Sequence, residues 1–415
     1  MSKKKDVLFL CQYFYPEYVS SATLPFDTAE ALKKAGFSVG ALSGYPKEYN
    51  LNDEVPLKET YKGIEIRRLK YIQLKRSNII GRLINYFSFT FSVALRINEL
   101  RKYRAVIVYS NPPVLPLVAA LASKLFDTKI VFVSYDVYPE MAHITNSISE
   151  GSIISKMMKL VNKSVFKHVN KVVALSNEMK AYLLNHRSIL SKEQVEVIPN
   201  WYEDKGISDA KDASKNKLFQ SIKNDGNLIV SYFGNMGICQ DLDTLVDAIR
   251  QFKDDRKVQF LFAGHGNKMD ILKEIVQKEK LNNVSIFDFL HGQDFQDALN
   301  ISDCFVVSLA KGLTCLAVPS KTYSYMMASK PVIAIMGEDS DIAKDLTENN
   351  AGYAMEVGET SKLVNSIKEL RNDKEKCRNM GENCRNVFLR KYTKEHCTQQ
   401  YVNMLRKILE DKYVK

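Results

Sequence analysis

The chain has little of what would mark a metalloprotein, a secreted scaffold or a membrane channel. Its seven cysteines, at 11, 239, 304, 315, 377, 384 and 397, form no C-x-x-C pair. An odd, scattered set argues against a zinc site and a disulfide framework, and for a reducing compartment. Uninterrupted apolar runs of the ~18 residues a spanning helix needs are missing. The nearest approach, NPPVLPLVAALA from Asn111, is broken by three prolines. The amino terminus, MSKKKDVLFLCQYFYPE, has a basic start but an apolar run too short for a signal peptide, so it reads as a first strand. Zinc-finger, helix-turn-helix and RNP patterns are absent, which counts against a nucleic-acid partner.

What remains is a globular composition, 45% hydrophobic and 26% charged, over 415 residues. That length exceeds one ordinary core and suggests two domains. The net charge of +11 is unevenly placed: Met1 to Val195 holds 28 Lys and Arg against 16 Asp and Glu, the remainder 31 against 32. The first half therefore carries the whole excess, which suits an anionic partner such as a membrane surface.

Short apolar runs alternate with helical patterns. DVLFLC, a helix over Thr23–Gly36, and FSVGALSG form one βαβ unit. AVIVYS, KIVFVSYD, KVVALS and VEVIPNW continue the series as strands covered on both faces. The polar stretch YEDKGISDAKDASKNK reads as a linker. A second series follows: LIVSYFG, KVQFLFAG, NVSIFDFL, CFVVSLA and PVIAIM. After Thr360 the pattern is helical, with breaks near Asn372 and Thr393. The expected architecture is α/β, two Rossmann-like domains over 1–199 and 200–392, with a closing helix over 393–415 that crosses back to the first. Ligands of such sheets bind beyond the carboxyl ends of the strands, so a central cleft between the domains is the expected site.

Two turns of the second half are suited to phosphate, and a third glycine turn lies at another strand end. YFGNMGICQDLDTL places Gly234, Asn235 and Gly237 between a strand and a helix, where backbone N–H groups and the helix dipole favour an anion. In VPSKTYSYMMASKPVIA, Ser320 is an N-cap candidate and Lys321 falls in the first helical turn, an unfavourable place for a cation unless an anion is near. Tyr323 and Ser324 are candidates to bond a ribose, whereas Tyr325 and Met326 read as core. GHGNK supplies Gly264 and Gly266, with His265 read as a surface residue.

In the first half Asp136, at the end of VFVSYD, is a candidate to orient or deprotonate a hydroxyl, with Glu140 four residues on; an Asp capping the next turn is the rival reading. Asn111 and Pro112 in SNPPV, and Tyr15, Glu17, Ser20 and Ser21 after the first strand, are candidates for an acceptor groove. The segment Lys75–Arg104 is dense in aromatic and aliphatic residues with basic ends. It suits a bilayer interface, or an internal helix with a charged rim.

Taken in order, LFLCQYFYPE with KKAGFSV, SNPPV, YDVYPE, VIPNW, YFGNMGICQDLDTL, FLFAGHG and VPSKTYSYMMASKPVIA resemble a GT-B glycosyltransferase of family 4. More narrowly they are similar to the bacterial branch holding the fucosamine transferases of O-antigen and capsule assembly. The resemblance implies a retaining transferase that uses no metal ion and no cofactor beyond a UDP-sugar donor. It implies an acceptor on the first domain and the donor on the second, with Gly234, Asn235, Gly237 and Lys321 at the diphosphate and Asp136 at the donor sugar and acceptor hydroxyl. Three departures stand out. Leu316 and Ser324 occupy the places of a glutamate pair common in the family; Asn235 and Gln240 stand where many members have arginine and lysine; Tyr135 replaces a histidine. The expected activity is transfer of a hexose or an N-acetylated 6-deoxyhexose to a polyprenyl-diphosphate-linked saccharide at the cytoplasmic membrane face. The rival readings are a UDP-sugar epimerase on the same fold and a non-catalytic binding subunit.

Overall fold

In a computed structural model, the protein is described over residues 4–47, 54–74, 79–206, 216–220, 222 and 226–410. Most of the expected linker, 207–215, and the start of the basic and aromatic segment, 75–78, lie outside these residues. The chain divides into two compact units, one of Met1–Asn200, Leu316–Val318 and Lys394–Lys415, the other of Trp201–Cys315 and Pro319–Thr393.

The first unit contains strands β1 (Lys5–Cys11), β2 (Val39–Gly44), β3 (Lys58–Tyr61), β4 (Ile64–Leu69), β5 (Tyr103–Tyr109), β6 (Lys129–Ser134), β7 (Lys171–Ala174) and β8 (Val195–Val197). Its helices are α1 (Ser20–Lys34), α2 (Ile79–Ala94), α3 (Ile97–Leu100), α4 (Pro116–Phe126), α5 (Glu140–Ile144), α6 (Ile153–His168) and α7 (Asn177–His186). Among the described residues the sheet runs β3-β4-β2-β1-β5-β6-β7-β8, parallel except for β3 against β4. Val7, Leu8, Phe9 and Leu10 of β1 and Val106, Ile107 and Val108 of β5 are buried, as continuous apolar strands under helices on both faces must be. Burying each large side chain stabilises by about 1.5–3 kcal/mol. The strand order reverses between β1 and β5. The β3–β4 hairpin had no counterpart in the sequence reading, because its alternating KETYKGIEIRRL pattern carries many charges.

The second unit holds β9 (Leu228–Asn235), β10 (Val258–His265), β11 (Val284–Phe287), β12 (Cys304–Ser308), β13 (Val332–Ile335) and β14 (Gly352–Met355). Its helices are α8 (Asp243–Gln251), α9 (Asn267–Glu279), α10 (Gly292–Ile301), α11 (Lys321–Met327), α12 (Asp341–Glu348), α13 (Thr360–Asn372) and α14 (Lys374–Lys391). Its sheet, β11-β10-β9-β12-β13-β14, is parallel and reverses between β9 and β12. The closing helix α15 (Lys394–Glu410) belongs to the first unit, where it packs on α1 and Lys394 pairs with Asp27 at 2.7 Å.

In the second unit Tyr325 stacks on Phe305 with ring centroids 4.1 Å apart. Its hydroxyl accepts from Phe233 N at 2.7 Å and donates to Phe233 O at 2.9 Å, tying α11 to β9. Tyr325→Phe strands a buried backbone N–H and carbonyl, which costs about 1–3 kcal/mol; urea unfolding of the second unit should show a midpoint lowered accordingly, with the fold retained.

Candidate active site

The site is described within each unit in turn. In the second unit the turn after β9 lies at the strand-order reversal, where open parallel sheets take their ligands. Gly234 holds φ +112° and a carbon added at Gly264 would sit 2.0 Å from Gly234 O, so the ends of β9 and β10 approach as only glycine allows. The two turns are one structure. Met236 N donates to His265 O at 2.8 Å, Lys268 N donates to Met236 O at 3.1 Å, and a side chain at Gly266 would meet Asn235. Lys268 Nζ also donates to Gln240 O.

Lys321 reaches this double turn from the start of α11. Its Nζ donates to Asn235 O at 3.0 Å, lies 2.5 Å from the Tyr232 hydroxyl and sits 4.1 Å from the Tyr232 ring centroid. No carboxylate pairs with it among the described residues. Removal from water pulls its pKa down to about 7. The cation is thus held by dipoles and a π face, an arrangement that stabilises it partially and leaves it open to a full negative charge.

Several expectations are corrected here. Ser320 has a helical backbone and makes no side-chain cap bond, so α11 starts without the expected cap. Tyr323 is 1% exposed against Tyr392, and Ser324 donates to Lys321 O at 2.8 Å, so both face the core and neither is presented to a ribose. The Gly237 N–H already donates to Gln240 Oε1 at 2.7 Å, so Gln240 shields that amide. His265 is exposed and stacks on Phe289, which in turn lies 4.8 Å from His291. Tyr232, Lys268 and this aromatic shelf were missed by sequence reasoning. Tyr232 reads there as one more buried strand residue, because nothing in a periodicity reveals where a hydroxyl ends.

In the first unit the candidate residues cluster at the carboxyl ends of β1, β5 and β6. The bonds Tyr15–Pro16, Asn111–Pro112 and Tyr138–Pro139 in these loops are cis. Asp136 N donates to the Ser110 hydroxyl oxygen at 3.1 Å, and the neighbouring backbone pairs with Leu316–Val318, Val137 N donating to Leu316 O at 2.9 Å. Its carboxylate caps no helix, since α5 has Pro139 at its N-cap position and no side-chain cap. Burial pushes the Asp136 carboxyl up to about 6. Asn111 Oδ1 is buried without a hydrogen-bond partner, beside buried Pro112. Gln12 Oε1, at the end of β1, is in the same condition.

Glu140 differs from expectation. It accepts from Arg187 at 2.7 Å, and the same guanidinium donates to Tyr138 O at 3.2 Å, so this carboxylate braces its own loop. Glu17 likewise turns inward, accepting from Phe14 N at 3.2 Å, and is 5% exposed. Tyr15 stacks on Tyr61 at 3.9 Å. Ser20 is exposed and Ser21 half-buried at the start of α1. Leu316, in the place of a family glutamate, is 1% exposed and offers only its carbonyl.

The family described as "Glycosyltransferase Family 4" matches residues 22–205, and "Glycosyl transferases group 1" matches residues 214–387. Both halves of the chain are glycosyltransferase domains. Among curated proteins, the probable glycosyltransferase WbjE of Pseudomonas aeruginosa is 25% identical over 68% of this chain and 70% of its own length. The putative colanic acid biosynthesis glycosyl transferase WcaI of Escherichia coli K12 is 22% identical over 60% of this chain and 61% of its own. The fold is GT-B. It matches sucrose-phosphate synthase of Thermosynechococcus elongatus with a TM-score of 0.74 at 15% identity, covering 99% of this chain and all of that one. It matches Anabaena HepE, solved with UDP and glucose, with a TM-score of 0.73 at 18% identity, covering 97% and 100%.

The glycosyltransferase domains thus carry a cation-bearing double turn in one unit and a raised-pKa carboxyl in the other. Glu140→Ala should lower stability by about 1–3 kcal/mol, as loss of a charged hydrogen bond does, in thermal unfolding. UDP affinity measured by calorimetry should be unchanged, in contrast to changes at Lys321.

Proposed function

We propose that the protein is a retaining, metal-independent glycosyltransferase that moves a hexose or an N-acetylated 6-deoxyhexose from a UDP-sugar to a polyprenyl-diphosphate-linked saccharide. It would work peripherally on the cytoplasmic membrane face in bacterial surface polysaccharide synthesis, within the branch of O-antigen and capsule fucosamine transferases. The observation that carries the donor reading is the Lys321 ammonium set 3.0 Å from Asn235 O on the glycine turn, with no carboxylate partner among the described residues. The UDP complex of HepE and the colanic acid assignment of WcaI support the donor and the pathway class. The lipid reading is supported by α2, which buries Phe89 and Val93 while exposing Ile80, Phe87 and Phe91.

In this reading the diphosphate accepts from backbone amides of the Gly234–Gly237 and Gly264–Gly266 turns and from Lys321. These fixed donors stabilise the charge that grows on the leaving oxygen as the sugar C–O bond breaks. The acceptor hydroxyl adds to the same face, and its proton passes to the departing diphosphate. Asp136 accepts from a hydroxyl and holds it in place. Gln240 moves from the Gly237 amide when the diphosphate arrives.

Lys321→Ala should weaken UDP binding by about 1.5–3 kcal/mol, the worth of a hydrogen bond to a charged group, in calorimetry. Unchanged affinity would remove the phosphate assignment. The pH dependence has two limbs. Lys321 is protonated below about 7 and neutral above it, so UDP binding should weaken as pH rises through that value, with proton uptake on binding that Lys321→Met abolishes. Asp136 is protonated below about 6, so transfer should fall as pH drops through that value. Asp136→Asn should cut transfer over the whole range and leave UDP affinity in place. Sugar release from UDP-sugars or transfer to a lipid-linked acceptor is the direct assay.

A further inference from the structure

The apolar surface of the first unit extends beyond α2. Helices α2, α4 and α6 cover one face of the sheet, with α4 packed against both neighbours. Each turns an apolar stripe outward. On α2 it is Ile84, Phe87 and Phe91; on α4, Leu121 at 49% and Leu125 at 56% exposed. On α6, Ile153, Met157 and Leu160 are 77%, 53% and 68% exposed, one helical turn apart. The opposite side of α6 is occupied: Met158, Val165 and Phe166 are buried in the unit. The outward residues therefore have no packing role, and exposed apolar groups at this density on adjacent helices mark an interaction surface.

Charge identifies what covers it. Across the residues of α2, α4 and α6 there is no Asp or Glu, while Arg82, Lys124, Lys156, Lys159, Lys163 and Lys167 are all basic. On α6 the lysines are exposed and run at the same three- and four-residue spacing as the apolar stripe, directly beside it. Among the described residues only Lys159 of these has an ion-pair partner, Glu150 at 3.9 Å, just before the helix. A helix with an apolar stripe flanked by unpaired lysines is suited to lie in the plane of an anionic bilayer, the apolar groups below the headgroups and the ammonium groups on phosphate. A protein partner of ordinary composition would meet six like charges with no acid among them.

We propose that α6, with Leu121 and Leu125 of α4, is a second lipid-contacting element that docks the first unit on an anionic bilayer alongside α2. This rests on the peripheral-membrane part of the function proposed above, and extends it to a helix outside the basic and aromatic segment. Two contacts on neighbouring helices fix the tilt of the unit on the membrane, where one would leave it free to roll.

The test is binding of the full chain to vesicles of phosphatidylglycerol and of phosphatidylcholine, by sedimentation. Wild type should bind the anionic vesicles and not the neutral ones. The triple change Ile153→Ser, Met157→Ser and Leu160→Ser should weaken that binding by at least about tenfold, and Lys156→Ala and Lys163→Ala by on the order of fivefold each. Calorimetry with UDP, unchanged in these variants, verifies the fold. Met157→Trp gives a second readout: its emission should shift to the blue on anionic vesicles and be quenched by brominated lipid, whereas the native Trp201, 5% exposed, should not respond. If Phe87→Ser with Phe91→Ser abolishes binding while the α6 variants bind as wild type, α6 is not a lipid contact and the membrane reading stands. If wild type binds no vesicles, both fall. If wild type is a dimer that the α6 triple change splits, the face is a self-association surface and the proposal is overturned.

Discussion

The arrangement turns on one cation that has no counter-ion among the described residues. Lys321 sits at the amino end of α11, where the helix dipole opposes it, and its neighbours are a carbonyl, a phenol hydroxyl and an aromatic face. These dipoles hold the ammonium group weakly, and its lowered pKa records how weakly. Everything around it serves to keep it there: Tyr325 anchors α11 to β9 through both polar atoms of Phe233, and Gly264 lets β10 close against the turn that Lys321 touches. Ser324, on the same helix, offers no charge and donates instead to Lys321 O. Among the described residues Lys321 carries the local charge without an acidic ion-pair partner.

The first unit follows a different logic. Its strand-end loops hold uncharged or neutralised polar groups. Glu140 is braced by Arg187 and Glu17 by its own loop, while Asp136 has no basic partner among the described residues and its proton affinity is raised by burial. Asn111 and Gln12 each leave one buried oxygen unbonded. A loop set of this kind offers hydrogen-bond acceptors to hydroxyls while repelling no anion strongly. Part of the unit's excess positive charge lies elsewhere, on α2, α4 and α6 over one face of the sheet.

Strand and helix identity was legible where apolar runs were long. Most strands from DVLFLC to PVIAIM emerge within a residue or two, because burial on both faces imposes a continuous apolar signal, though VEVIPNW and NVSIFDFL end early, at Val197 and Phe287; the break between α14 and α15 falls at Thr393. The polar β3–β4 hairpin and short β14 escaped that signal, since edge strands need no such run. α1 begins at Ser20, a turn ahead of the expected Thr23, because its first residues precede the periodic pattern.

The sequence by itself determined the two-unit α/β plan, the glycine turns, the position of Lys321 and the placing of excess charge in one half, since each follows from local pattern or counting. Only the tertiary structure decided which polar groups are available. Long-range partners do this: Tyr232 reaches Lys321 across 89 residues, Arg187 takes Glu140 across 47, and Tyr392 walls off Tyr323. Such partners are chosen by packing in three dimensions, and no spacing along the chain encodes them.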